Sequence, residues 1–257
     1  MTSIITSTQE EIAAMRIGGK ILADVLAHLA MMVAPGVDAA SLNTEAEALI
    51  AARGATPLFL GYRPDGASSP YPATVCVSIN DEVVHAIPYK GKIIMDGDIV
   101  SLDLGVRYNG MCVDSALTVT AGVVPARTQK LIAVTKKALY EGIAVVRAGA
   151  RIGDIGHAVQ SCVEREGFSV VRELAGHGVG HHAHEEPMIL NFGKKATGEL
   201  LIAGMTIAIE PMVTSGDWRI KTDEDGWGIR TMDGSLAAHF EHTVLVTKDG
   251  YEILTEA

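Results

Sequence analysis

The stretch 176–187, GHGVGHHAHEEP, holds four of the chain's nine histidines within eight positions. Imidazole changes charge near neutral pH and is the commonest metal ligand among side chains. Such a cluster marks a site, and its chemistry depends on the acids that join it. Those acids stand in an unusual place. Asp103 lies between Leu102 and Leu104, Glu210 between Ile209 and Pro211, Asp114 within CVDSALTV and Glu241 within HFEHTVLV. Carboxylates are depleted in strands and are almost never fully buried unless paired. Alternation toward solvent accommodates one such acid, but four at matching positions in apolar strands need another explanation. Carboxylates gathered in low dielectric must share protons or bind a cation. Four of them with one imidazole make a mostly hard donor set, suited to divalent Mn, Fe, Co or Zn. Two divalent ions would nearly neutralise that set, and ions roughly 3.5–4 Å apart can hold a bridging water as hydroxide near neutral pH. That is hydrolytic equipment.

The elements that carry these residues come in two echoing halves. DIVSLDLG resembles GMTIAIEPM, which aligns Asp103 with Glu210. VDSALTVT resembles FEHTVLVT, which aligns Asp114 with Glu241, each followed by Val-Thr at the fifth and sixth positions after it. A capping box at Ser7-x-x-Glu10 precedes an apolar-periodic run from about Ile12 to Met32, closed by Pro35-Gly36. A second helix is expected near Ala39–Arg53, a third near Ala126–Arg147 after Pro125, and a fourth near Ile152–Glu166. Residues 61–72, GYRPDGASSPYP, read as a loop. Alternating strands are expected over 73–79, 93–106 and 112–120, with continuous strands over 205–213 and 237–247. The expected class is α+β, one domain over 1–257 with halves of roughly 8–124 and 125–250.

Composition narrows the function classes. The chain has 257 residues, 48% hydrophobic and 20% charged, as expected for a globular protein with a sizeable core. A net charge of −10 argues against a nucleic-acid binder, which carries a basic face. No secretory signal or membrane-spanning stretch is read in the sequence. Cys76, Cys112 and Cys162 form neither a zinc-type pair nor a disulfide framework, so a reducing cytoplasm is the simplest setting.

Taken together, SINDEVVHAIP, SLDLGVRYNGMCVDSALT, AGHGVGHHAHEEP, TIAIEPMV and FEHTVLVT resemble the methionine aminopeptidases over about residues 8–250. The resemblance implies the pita-bread fold, a curved antiparallel sheet of two pseudo-symmetric halves covered by helices. It implies a metal-ligand set of Asp103, Asp114, His177, Glu210 and Glu241 around two divalent ions (Co, Mn, Fe or Zn), Asp114 and Glu241 bridging both. Asp103 would complete the shell of one ion, His177 and Glu210 that of the other. His85 and His184 match substrate-contacting histidines, and Glu210 matches the general base. Phe59, Tyr62, Tyr71, Cys76 and Trp227 would form the methionine pocket. The implied activity is removal of initiator methionine from nascent polypeptides before a small second residue. Ribosome association is compatible with that role, and a cytoplasmic monomer is expected.

Glu210 and Glu241 stand 31 positions apart, which fits the type I, bacterial-type pattern rather than one with an insertion between these acids. Prolidases share the five-ligand pattern but resemble longer chains, and a non-catalytic binding protein of this fold would have lost ligands. Of the remaining histidines, His181 and His182 read as turn or surface residues, and His28 and His157 as helical. His242 should point away from Glu241, whereas His239 shares its face and is weighed against a plain core role. Three departures bear on specificity. The segment 63–70 lengthens the loop between the pocket tyrosines, Ala86 replaces a glycine, and Ala183 stands where an aromatic precedes the second substrate histidine. The missing ring at Ala183 would lower the wall at the mouth of the site, unless the longer 63–70 loop folds over the gap and replaces it.

Overall fold

The computed structural model describes residues 6–64, 66 and 69–256. The chain opens with α1 (Gln9–Met32) and α2 (Ala39–Ala52). The capping box of α1 falls one residue later than the sequence suggests. The Thr8 hydroxyl accepts from the Glu11 N–H at 3.3 Å, and the Glu11 carboxylate accepts from the Thr8 N–H at 2.7 Å. Ser7 cannot close a capping box with Glu10, because its N–H is committed to the Gly204 carbonyl. Asp38 caps α2 by accepting from the Ala40 N–H at 3.0 Å.

Five strands follow: β1 (Thr56–Pro57), β2 (Val75–Ile79), β3 (Glu82–Val84), β4 (Ile99–Tyr108) and β5 (Met111–Thr120). β4 begins later than expected because residues 93–98 turn, with Gly97 at φ +89° and the Asp98 carboxylate accepting from the Met95 N–H. Asn109 and Gly110, both at positive φ, close the β4–β5 hairpin. The second half starts with α3 (Ala126–Ile143) and α4 (Ile152–Arg165). α3 stops short of Arg147 because the Val146 N–H turns back to Ile143 and the Ala148 N–H goes to the Thr247 carbonyl.

Short strands complete the chain: β6 (Ser169–Val170), β7 (Gly176–Gly178), β8 (Glu185–Ile189), β9 (Thr206–Ile209), β10 (Met212–Thr214), β11 (Ile220–Thr222), β12 (Ile229–Thr231), β13 (Ala237–His239), β14 (Glu241–Val246) and β15 (Tyr251–Ile253). Among the described residues the main sheet runs β1-β4-β5-β14-β9-β7-β8, with β2 added on β4 and β15 on β14. Its strand pairs are antiparallel. One apolar core lies between α1, α2 and strands β2, β4 and β5, and a second between α3, α4 and strands β9 and β14.

The two strands expected to be continuous are each broken, and at the acids. The run 205–213 divides into β9 and β10 around Glu210 and Pro211, and 237–247 divides into β13 and β14 at Phe240. Pro211 has no N–H to give the ladder. Beyond the breaks, β10 and β13 pair with each other in a separate three-stranded sheet with β6. Glu210 and Glu241 thus sit where two strands change sheets.

Candidate metal centre

Register sets three of the acids on one face. Across the hairpin Asp103 faces Ala116 and Gly105 faces Asp114. Residues two apart share a face, so Asp103 and Asp114 point the same way. From the other side of β5, Glu241 also pairs with Ala116, whose methyl group leaves space between the carboxylates. Ile209 pairs with His242, so the next residue, Glu210, comes beside Glu241.

His177 reaches the same place because its flanking glycines allow β7 to squeeze between two neighbours. A Cβ at Gly176 would sit 2.3 Å from the Ala208 carbonyl, and one at Gly178 2.4 Å from the Glu186 carbonyl. No larger residue fits either position. The histidine of this Gly-His-Gly segment is therefore held by backbone packing.

The ladder between β5 and β14 covers only two residue pairs. Where it opens, Thr243 takes over. Its hydroxyl accepts from the Asp114 N–H at 2.9 Å and donates to the Asp114 carbonyl at 2.8 Å. Ser115 donates to the Glu241 carbonyl at 2.7 Å, and Asn191 to the Glu210 carbonyl at 3.0 Å. These supports could not be found from the sequence, because they lie up to 129 positions from the acid they hold and short polar side chains carry no motif.

The convergence is costly without a cation. Asp103, Asp114, His177 and Glu241 are all buried. One oxygen each of Asp103, Asp114 and Glu241 is buried without a hydrogen-bond partner, where nearly all such groups are paired. Burial, joined for the others by repulsion between the acids, raises all four carboxyl pKa values, that of Asp114 to about 7. His177 is the complement. Burial lowers its pKa to about 3, so the ring is neutral. Its Nδ1 lies 2.9 Å from the Gly178 carbonyl, which only an Nδ1–H can satisfy. That tautomer leaves the Nε2 lone pair facing Glu210 Oε1 at 3.5 Å. Ligand atoms of Asp114, His177 and Glu241 lie within 4.8 Å of one another. Orphaned oxygens beside a lone pair fixed by its tautomer are the donors a divalent cation requires, so the residues fit a metal.

The same shifts predict how the metal-free protein responds to pH. A carboxyl whose folded pKa is raised stabilises the fold below its unfolded pKa, and that contribution is lost as pH rises through the folded value. The buried histidines, with lowered pKa values, act oppositely but are largely neutral in both states above about pH 7.5. Chelated protein should therefore lose melting temperature as pH rises above about 7.5, and Mn²⁺ should restore it. A flat profile without metal would contradict this electrostatic picture.

Every substrate-side residue expected from the sequence lines one cavity of about 350 Å³ together with the acids. Phe59, Tyr62, Tyr71, Cys76 and Trp227 form its aromatic and sulfur wall. Tyr71 and Trp227 meet edge to face at 5.1 Å, and Tyr71 donates to the Ala86 carbonyl. Cys76 pairs with Asp103 across the strands. His184 Nδ1 lies 2.8 Å from the Tyr62 hydroxyl, and its ring centre 4.3 Å from that of His177. His85 follows β3 directly with φ +58°, a left-handed conformation that a non-glycine residue holds only when its surroundings fix it. Burial lowers the pKa of both His85, to about 4, and His184. Both rings are therefore neutral donors at pH 7.

The other histidines separate as expected. His181 pairs with Glu11 at the surface, His182 is exposed, His28 and His157 lie on α1 and α4, and His242 turns away to Thr255 at 2.9 Å. Ala183 is buried and belongs to the apolar cluster that also holds the cavity residues Phe59, Tyr71 and Cys76. Of the lengthened loop, residues 65, 67 and 68 lie outside the described residues, while Pro64 lines the cavity. The sequence reading also overlooked Arg230, which binds Asp81 and Glu82 beside β3 and Asp223 near Trp227. It ties the segment carrying Trp227 to the strand that leads into His85.

Comparison with known proteins agrees with this geometry. Residues 13–248 match metallopeptidase family M24. The chain is 47% identical to a methionine aminopeptidase of Aquifex aeolicus over 97% of both chains. It is 42% identical to methionine aminopeptidase 1 of Bacillus subtilis, covering 98% of this chain and 99% of that one. The crystal structure of a methionine aminopeptidase from Thermotoga maritima superposes with a TM-score of 0.95 at 43% identity, covering 99% and 100% of the two chains. The architecture is that of the pita-bread peptidases. Similarity of this degree over essentially the whole length places the chain in metallopeptidase family M24, among the methionine aminopeptidases.

Proposed function

We propose that this chain removes N-terminal methionine from nascent polypeptides with a small second residue, and that Asp103, Asp114, His177, Glu210 and Glu241 hold two divalent ions for the purpose. The observation that carries the reading is the buried, cation-starved acid cluster at the end of an aromatic-lined cavity. Two bound ions would lower the pKa of a shared water and polarise the scissile carbonyl. Co, Mn, Fe and Zn all suit the donor set.

The chain's own residues supply the rest. Aromatic faces and the Cys76 sulfur suit a flexible thioether, so the methionine side chain occupies the cavity beside Tyr71 and Trp227. His85 and His184, both neutral, donate to the carbonyl oxygen as negative charge builds on it. The Glu210 carboxylate takes a proton from the attacking water and passes it to the leaving amine. Cytoplasmic action by a monomer, with ribosome association, belongs to the same proposal. The three cysteines are free and buried, in keeping with a reducing compartment. Among the described residues no helix is long and apolar enough to cross a membrane.

Assaying chelator-stripped protein on Met-Ala-Ser and on an X-Pro peptide, with and without Mn²⁺ or Co²⁺, tests the function. Metal-restored release of methionine from Met-Ala-Ser alone is expected. Metal-supported cleavage of the X-Pro peptide with Met-Ala-Ser untouched would overturn it in favour of a proline-directed peptidase.

A further inference from the structure

His239, the last residue of β13, has no part in the chemistry above, yet its ring is aimed at it. The residue is 1% exposed, and neither ring nitrogen has a hydrogen-bond partner. Leaving a buried donor unpaired costs about 1–3 kcal/mol. The ring is not free to seek a partner elsewhere. The His239 N–H donates to the Thr118 hydroxyl at 2.9 Å, and its carbonyl accepts from the same hydroxyl at 2.8 Å. β13 also pairs His239 with Met212. With the backbone fixed in this way, Nε2 stands 3.6 Å from Glu210 Oε2.

Glu210 is bracketed by two imidazoles. His177 faces Oε1 at 3.5 Å and His239 faces Oε2. His177 carries its proton on Nδ1, spent on the Gly178 carbonyl, and so has none to give Glu210. Of the two rings, only His239, whose nitrogens have no other partner, is free to present an N–H to this carboxylate. At 3.6 Å the contact is longer than a formed hydrogen bond, but closing it takes about half an ångström, and such bonds commonly tighten when an active site is loaded.

We infer that His239 is a positioning residue for Glu210, donating Nε2–H to Oε2 so that Oε1 is held beside His177 toward the metal. The inference rests on the metal reading proposed above. Ligating carboxylates are themselves oriented by hydrogen bonds, and losing such a partner typically costs roughly 10–100-fold in metal affinity or activity.

The test compares two substitutions that keep the bulk and differ in the donor. His239→Gln retains an N–H at similar reach, and His239→Met does not. Calorimetric titration of chelator-stripped proteins with Mn²⁺ should show His239→Met binding roughly 10–100-fold more weakly than wild type. His239→Gln should recover most of that loss. At saturating Mn²⁺, kcat on Met-Ala-Ser should fall in His239→Met with KM little changed. Equal Mn²⁺ affinity in wild type and His239→Met would overturn the inference alone. So would equal weakening in both variants with matching falls in the melting temperature of the stripped proteins, which marks a merely structural role. Wild-type protein that took up no Mn²⁺ would overturn the metal reading and this inference with it.

Discussion

Asp114→Asn is expected to empty the site of metal and abolish turnover. The Asp114 carboxylate sits among the acids with one oxygen buried and unpartnered, its ligand atom within 4.8 Å of those of His177 and Glu241. An amide offers one acceptor oxygen and a donating NH₂ group in place of two equivalent anionic oxygens. Thr243 grips the Asp114 backbone on both its N–H and its carbonyl, so the side chain cannot withdraw to let another group take over. Turnover should fall by more than the roughly 10–100-fold that losing an outer partner of a ligand costs, with bound metal falling in step. Ser115→Ala, one residue away, removes only the hydrogen bond to the Glu241 carbonyl. It should cost about 0.5–1.5 kcal/mol of stability while keeping the metal. Near-normal metal content and turnover in Asp114→Asn would show that this residue is no ligand.

His184→Ala separates the two histidines that meet at 4.3 Å. Desolvation lowers the His184 pKa and so favours the neutral ring, and its Nδ1 lies 2.8 Å from the Tyr62 hydroxyl. Its Nε2 is therefore the nitrogen left to serve the substrate carbonyl. A donor used mainly in the transition state affects kcat more than KM, and removing one typically costs about 2.7–4 kcal/mol, or roughly a hundred- to thousandfold in kcat. Metal content should be unchanged, because the fixed lone pair belongs to His177. Metal loss from this variant would reverse the roles given to the two histidines.

The site was legible in the sequence where a physical penalty left a mark. Acids inside apolar strands and a glycine-flanked histidine are choices a chain does not make for stability alone, and the residues so marked do line one cavity. Periodicity also placed the four helices to within a few residues. It failed at boundaries decided by distant partners, as at Ser7, whose N–H Gly204 had already claimed. Alternation carried straight through Glu210-Pro211 and Phe240, and so hid the change of sheet at each acid. Short strands such as β7 and β12 span only three residues, too few for any pattern to show. His239 could be placed on a face from its spacing to Glu241, but its tie to Thr118 and its reach to Glu210 are tertiary facts.

The central claim is that the acid cluster is a two-ion centre, and crystals of the protein soaked in Mn²⁺ test it most directly. An anomalous difference map should show two peaks roughly 3.5–4 Å apart, both between Asp114 and Glu241, one toward Asp103 and the other toward His177 and Glu210. Ordered density for the five side chains at full Mn²⁺ saturation with no peak among them, or with peaks only at surface pairs such as Glu11 and His181, would contradict the account.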